Sequence, residues 1–252
     1  MAALAPDVII QIGSFPITNT ILNTLLVDST ILGGIYYLHN HMKKIPGYFQ
    51  NILEMVVDMF YDLTEGIAGK NAKKIFPWFM SFFLFILLAN WSGLIPGIGT
   101  FGLKQVHDGK EELVPLIRNL TSDLNATFAL ALISLIATHV LAIQTVGWKE
   151  YFSRYFSINP ILLFVGALEI ISEFTKIISL SFRLFGNIYA GEVVIHTINT
   201  LFAFLLPIPF LLLEVIVGLV QALVFSMLTM VFMSVLMTPH HEENHTAKEV
   251  SH

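Results

Sequence analysis

Apolar residues gather in runs long enough to cross the roughly 30 Å hydrocarbon core of a bilayer, at about 17–38, 76–95, 124–146, 158–195 and 202–237. They predict five membrane segments. The first is the most interrupted, because Asn19, Asn23 and Asp28 fall inside it, and such residues in a span usually face protein or water rather than lipid. Between the first two runs, Ile52, Met55, Val56, Met59, Phe60 and Leu63 recur at helical spacing among Glu54, Asp58, Asp62 and Glu65. That pattern predicts an amphipathic helix over about 46–70, lying on the membrane surface or against another subunit. The expected fold is therefore all-α: one polytopic membrane domain over 1–252, ending in a polar tail at 238–252.

Composition agrees with the pattern. The 252 residues are 55% hydrophobic and only 12% charged, with a mean hydropathy of +0.74, which would not suit a soluble domain. A net charge of −5 with few basic residues leaves no footprint for nucleic acid. Zero cysteines exclude disulfides and thiolate metal sites. No Walker-type phosphate loop, HExxH or internal repeat is present, so no cofactor and no metal is expected. The four histidines of the tail "HHEENHTAKEVSH" read as solvated. The N-terminus "MAALAPDVIIQIG" has no Lys or Arg ahead of its apolar part, so no cleaved signal peptide is expected.

Basic residues also set the expected sides. Lys43, Lys44, Lys70, Lys73, Lys74, Lys149, Arg154 and Lys248 fall on one side of a five-span chain, and Lys104, Lys110 and Arg118 on the other. The richer side should be cytoplasmic, with the N-terminus outside and the C-terminus inside.

The fourth run carries the chemistry. As one helix, 158–195 would be about 57 Å long, nearly twice the membrane thickness, so it either slants or breaks at Gly186 or Gly191. A slant held by packing against a partner is the favoured expectation. At 100° per residue Glu169, Ser172, Lys176, Ser179, Arg183 and Asn187 lie within about 40° of one direction, with Glu173 just outside. Each charge inside a membrane costs about 2.5–3.5 kcal/mol on insertion scales. Glu169, Glu173 and Lys176 are spaced to neutralise one another, which is as good an explanation for them as a functional one. No acidic residue lies within a turn of Arg183. A guanidinium that never deprotonates cannot relay a proton, but its fixed field forces a neighbouring carboxyl to ionise. That carboxylate must come from elsewhere.

The last run places Glu214 and Gln221 on one face with Gly218 between them. Topology puts Glu214, Glu192 and His196 toward the outside, and Glu169, Ser172, Glu173 and Lys176 toward the cytoplasm. Two polar sets, one facing each side and separated by an arginine, suit two half-channels that must not connect.

The stretch "SLSFRLFGNIYAGE", Ser179 to Glu192, resembles the signature of subunit a of F-type ATP synthases, the stator membrane subunit beside the rotating ring of c subunits. The resemblance extends to "FPITNT", "NWSGLIPG", "SDLNATFALAL" and "LVQALVFSMLT". It implies that Arg183 is the essential arginine, with Asn187 and Glu192 its companions and Gln221 packing near it from the last helix. It also implies that Glu169, Ser172 and Lys176 belong to the cytoplasmic half-channel. Glu214 stands where some members carry histidine, leaving Glu192 and Glu214 as the outer pair, and His196 either supplies the imidazole or is an interfacial residue. Asn90 and Asp123 match family positions too, but read as the start of a Gly/Pro turn and a helix cap.

The expected function is that of a non-catalytic subunit carrying protons to and from the c ring of a rotary ATP synthase. Its partners would be that ring, the peripheral-stalk b subunits, the rest of the synthase and lipid, most naturally in a bacterial plasma membrane. The rival readings are an ion-coupled secondary transporter, against which the missing repeat counts, and a purely structural membrane anchor, which would not need Arg183.

Overall fold

The computed structural model describes residues 8–12, 15–43, 46–95, 102–107, 110–155, 160–201 and 207–238. The polar tail beyond 238, with its histidines, and the first residues of the N-terminus lie outside them. Among the described residues the α-helices are α1 (Asn19–His41), α2 (Tyr48–Ala68), α3 (Ala72–Ser92), α4 (Leu124–Val146), the short α5 (Trp148–Tyr155), α6 (Pro160–Leu201) and α7 (Pro207–Leu236). Two small antiparallel hairpins accompany them, β1 (Val8–Ile12) with β2 (Phe15–Thr18) and β3 (Gly102–His107) with β4 (Lys110–Pro115). The protein is a polytopic helical membrane protein; the hairpins and α5 are additions to the predicted element list.

Four helical stretches among the described residues are long and apolar enough to cross a membrane: Asn19–His41, Tyr48–Ser92, Leu124–Val146 and Pro207–Leu236. The remaining expected span corresponds to α6, which differs from these four in carrying Glu169, Glu173, Lys176, Arg183 and Glu192. It is one uninterrupted helix of 42 residues, about 63 Å long at 1.5 Å per residue. Neither Gly186 nor Gly191 breaks it. A helix twice the bilayer thickness must slant or project, as packing dictates.

The second stretch folds back on itself. A 3-10 turn at Gly69–Asn71, with Gly69 at φ 51°, separates α2 from α3, and the Phe60 ring sits 5.6 Å from Phe79 and 4.9 Å from Phe83. Those contacts are possible only if α2 returns along α3. Elsewhere on its surface α2 leaves Tyr48, Phe49, Met55 and Met59 exposed.

Packing centres on α3 and α7. Ile75, Phe79, Phe82 and Ile86 of α3 meet Ala222, Phe225, Met230 and Met233 of α7, all buried. Lipid tails are as apolar as these side chains, so close fit and hydrogen bonds, rather than expulsion of water, hold such helices together. Hydroxyl pairs supply them: Ser134 with Thr229 at 2.8 Å joins α4 to α7, and Thr127 with Ser181 at 3.1 Å joins α4 to α6.

The polar residues of α1 behave as their position predicts. Asn19 and Asn23 are buried and donate to the carbonyls of Pro115 and Arg118, while Asp28 stays exposed. Asp123 caps α4, its carboxylate accepting the Asn125 N–H at 2.9 Å. Asn90 departs from its reading as the start of a turn. It lies inside the last turns of α3, buried, donating to the Gly218 carbonyl at 2.9 Å and accepting from the Thr121 hydroxyl at 2.6 Å. A turn residue would leave the carbonyl of Gly218 with only its helical bond; here Asn90 fastens α7 to α3.

Candidate functional site

The inward side of α6 is formed by Ile177, Leu180, Ser181, Leu184 and Ile188, buried against the rest of the chain. On the other side Ser172, Ser179, Arg183, Gly186 and Asn187 are exposed, flanked by Phe174, Ile178 and Phe182. The split follows the 3.6-residue period. It also divides the predicted polar stripe, because Lys176 and Glu173 turn inward and Glu169 is only partly exposed.

Arg183 donates to the Ser179 hydroxyl at 3.4 Å, and among the described residues no carboxylate pairs with it. Gln221 is half-buried on α7, and no hydrogen bond joins it to Arg183. A guanidinium facing lipid without a counter-charge is costly. The exposed face of α6 thus presents a cation whose counter-charge is not found among the described residues.

Toward the C-terminal end of α6, two carboxylates are brought together. Glu214 on α7 is buried and leans on the backbone of Gly191: a β-carbon at that glycine would lie 2.8 Å from Glu214 Oε1. Glu192 is the next residue, and the two charges are close enough to interact. Each leaves a buried oxygen, Glu192 Oε2 and Glu214 Oε2, with no hydrogen-bond partner among the described residues. Buried carboxylate oxygens without partners are expensive, which makes this pair a candidate for function rather than for packing alone. Glu214 is held in depth from behind, since Trp91 donates to the Val215 carbonyl at 3.2 Å and Asn90 to that of Gly218. His196, one turn past Glu192, is exposed.

Toward the N-terminal end, Lys176 Nζ donates to Glu173 Oε1 at 2.8 Å and sits 4.5 Å above the Phe232 ring of α7. A half-buried cation paired with a carboxylate and resting on an aromatic face is well stabilised. These residues line a cleft between α4, α6 and α7 together with Ser134 and Thr138. A neighbour of Glu173 outside this lining was missed: His139 of α4, whose Nε2 is 3.8 Å from Glu173 Oε2 and whose Nδ1 lies 2.7 Å from the Tyr151 hydroxyl. In sequence His139 is a lone polar residue in an apolar run, and its partners lie on other helices.

Along α6 the exposed Arg183 thus lies between two sets of acidic groups, Glu173 with Lys176 toward one end and Glu192 with Glu214 toward the other. Over residues 20–234 the chain matches the family model described as "ATP synthase A chain", and the chain belongs to that family: it is a subunit a type membrane component of an F-type ATP synthase, not one of its catalytic subunits. It is 33% identical over 234 residues, 93% of this chain and 97% of the other, to the ATP synthase subunit a of Moorella thermoacetica.

Proposed function

We propose that this subunit supplies two offset half-channels to a ring of c subunits, with Arg183 as the barrier between them. One half-channel opens outside and ends at Glu192 and Glu214; the other opens to the cytoplasm and is bordered by Glu169, Ser172, Lys176 and Glu173. A proton entering from outside reaches a ring carboxylate, travels through lipid as the ring turns, and leaves on the cytoplasmic side when that carboxyl approaches Arg183. The guanidinium favours the ionised carboxylate, so the proton departs there and cannot pass directly across. Each charge crossing 100 mV contributes about 2.3 kcal/mol. Asn187 and Gln221 border the arginine's face, and His196 the outer mouth. The setting proposed is a bacterial plasma membrane with the N-terminus outside, and peripheral-stalk b subunits meeting the exposed apolar face of α2.

The observation that carries this reading is an exposed Arg183 that no carboxylate pairs with among the described residues, on a helix bearing acidic groups with buried oxygens on either side. In inverted vesicles holding the whole complex, Arg183→Ala should abolish ATP-driven proton pumping while the detached catalytic head keeps its ATPase activity. Arg183→Lys should rescue poorly, since an ammonium deprotonates more readily and lacks the planar fork. Normal pumping by Arg183→Ala would remove the proposal and favour the structural-anchor reading.

A further inference from the structure

His139 lies where three helices meet. Its ring edge meets that of Tyr151 at 79° with centroids 6.0 Å apart. The hydroxyl of Tyr151, on α5, is 2.7 Å from Nδ1, and the free oxygen of Glu173, on α6, is 3.8 Å from Nε2. Glu173 uses its other oxygen for Lys176, leaving Oε2 buried and without a hydrogen bond. The two imidazole nitrogens thus address two different groups: a buried carboxylate oxygen on one side and, on the other, a hydroxyl on a short helix beyond the end of the α4 span.

We propose that His139 is a proton-relaying residue of the Glu173 half-channel, carrying protons between the Glu173 carboxyl and the Tyr151 hydroxyl. This rests on the half-channel reading above and adds a residue and an exit to it. In the releasing direction the imidazole starts neutral, with its proton on Nδ1 donated to the Tyr151 oxygen. A proton on Glu173 Oε2 moves to the lone pair of Nε2: the O–H bond breaks, the N–H bond forms, and a carboxylate faces an imidazolium. The Nδ1 proton then passes to the Tyr151 oxygen as that hydroxyl gives its own proton to water, leaving a neutral ring protonated on Nε2. The ring regains its first tautomer by exchange with water, which reaches it because 24% of the side chain is exposed. A separation of 3.8 Å is longer than a direct hydrogen bond, so transfer requires a small rotation of the carboxylate or one intervening water.

Histidine suits this position because it alone changes charge near neutral pH without a perturbing neighbour. The other titratable groups facing it are Glu169, Glu173 and Lys176 from α6 and Tyr151 and Tyr155 from α5; α7 presents the apolar Phe232. Burial raises the Tyr155 phenol well above the usual range, so it stays protonated and does not compete with the imidazole for the proton. A tie between α4 and α5 is the alternative role for the Tyr151–His139 bond, and it predicts no such response.

The test uses the whole synthase in inverted vesicles, where the bath is the cytoplasmic side. ATP synthesis is driven by a fixed lumen pH and potential, and its rate per assembled complex is read against bath pH for wild type, His139→Gln and Tyr151→Phe. Dividing by the wild-type rate at each pH cancels the pH dependence of the catalytic head. His139→Gln should be slower by about tenfold at neutral pH, less than a positioned acid–base group usually contributes because water beside Lys176 offers a parallel route. Its ratio to wild type should rise as bath pH falls through the imidazole range of about 5–8, since a protonated imidazole can no longer accept. Varying lumen pH should leave the ratio flat. Tyr151→Phe, which removes only a hydroxyl, should show a loss of the same order and covers the case in which His139→Gln fails to assemble. Ratios flat against bath pH, or normal rates per complex with less complex assembled, would overturn the proposal. Arg183→Ala run alongside separates the two readings: if it is blocked while the His139 ratios are flat, only the relay fails.

Discussion

Glu192 and Glu214 meet where Glu214 leans over Gly191, and each keeps a buried oxygen free of partners. In the proposed outer half-channel two carboxyls so placed serve one path, and losing either interrupts it. Glu192→Gln and Glu214→Gln should each slow outside-driven proton entry by about tenfold, and the double variant should be little worse than either single. Pumping measured against outside pH checks this. Strictly additive losses, or an unchanged pH profile, would show two independent groups. The proximity of this pair was legible in the sequence, because topology alone sets both residues at similar depth on consecutive antiparallel helices. His139 was not, because a histidine in an apolar run carries no sign of which residues of other helices it will meet. Asn90 was misjudged for a related reason. The Gly and Pro that follow it in "NWSGLIPG" suggest a turn, yet α3 runs through Asn90 to Ser92 and buries its amide against α7.

At the scale of elements, α6 and α7 touch where glycine permits it. Gly218 lets α7 approach Asn90 of α3, where an added β-carbon would stand 3.1 Å from that side chain's own. Gly191 leaves room for the Glu214 carboxyl. Gly191→Ala removes no titratable group and improves helix propensity, yet its methyl would occupy the space of Glu214 Oε1. Proton entry should fall by about tenfold through displacement of that carboxylate, with the complex assembled at wild-type levels. Wild-type entry rates in Gly191→Ala would mean that the contact between these helices does not position Glu214. The helical pattern foretold long apolar segments. It did not foretell β3 and β4, short strands in a connection, although the Asp108–Gly109 pair between them is a recognised hairpin signal. Nor did it foretell α5, which is too short and polar to register as periodicity and begins after Gly147, at φ 91°.

For the molecule as a whole, the informative feature is an outward face that its own chain leaves incomplete. Ser179, Arg183 and Asn187 are exposed on α6 among Phe174, Ile178 and Phe182, and a charge on that face is tolerable in a membrane only against protein. Cysteines introduced at Ser179 and Asn187 should crosslink to the ring in the assembled complex; reaction of both with lipid-phase reagents instead would place the face in lipid. The central claim is narrower: Arg183 keeps two half-channels apart. It is tested most directly by measuring, in the same vesicles carrying Arg183→Ala, both ATP-driven pumping and the passive proton leak through the membrane sector under an applied potential. The account predicts that coupled pumping disappears while the leak persists at or above the wild-type level, because the barrier is gone and the two acidic ends remain. Coupled pumping at the wild-type rate, with no change in leak, would contradict it.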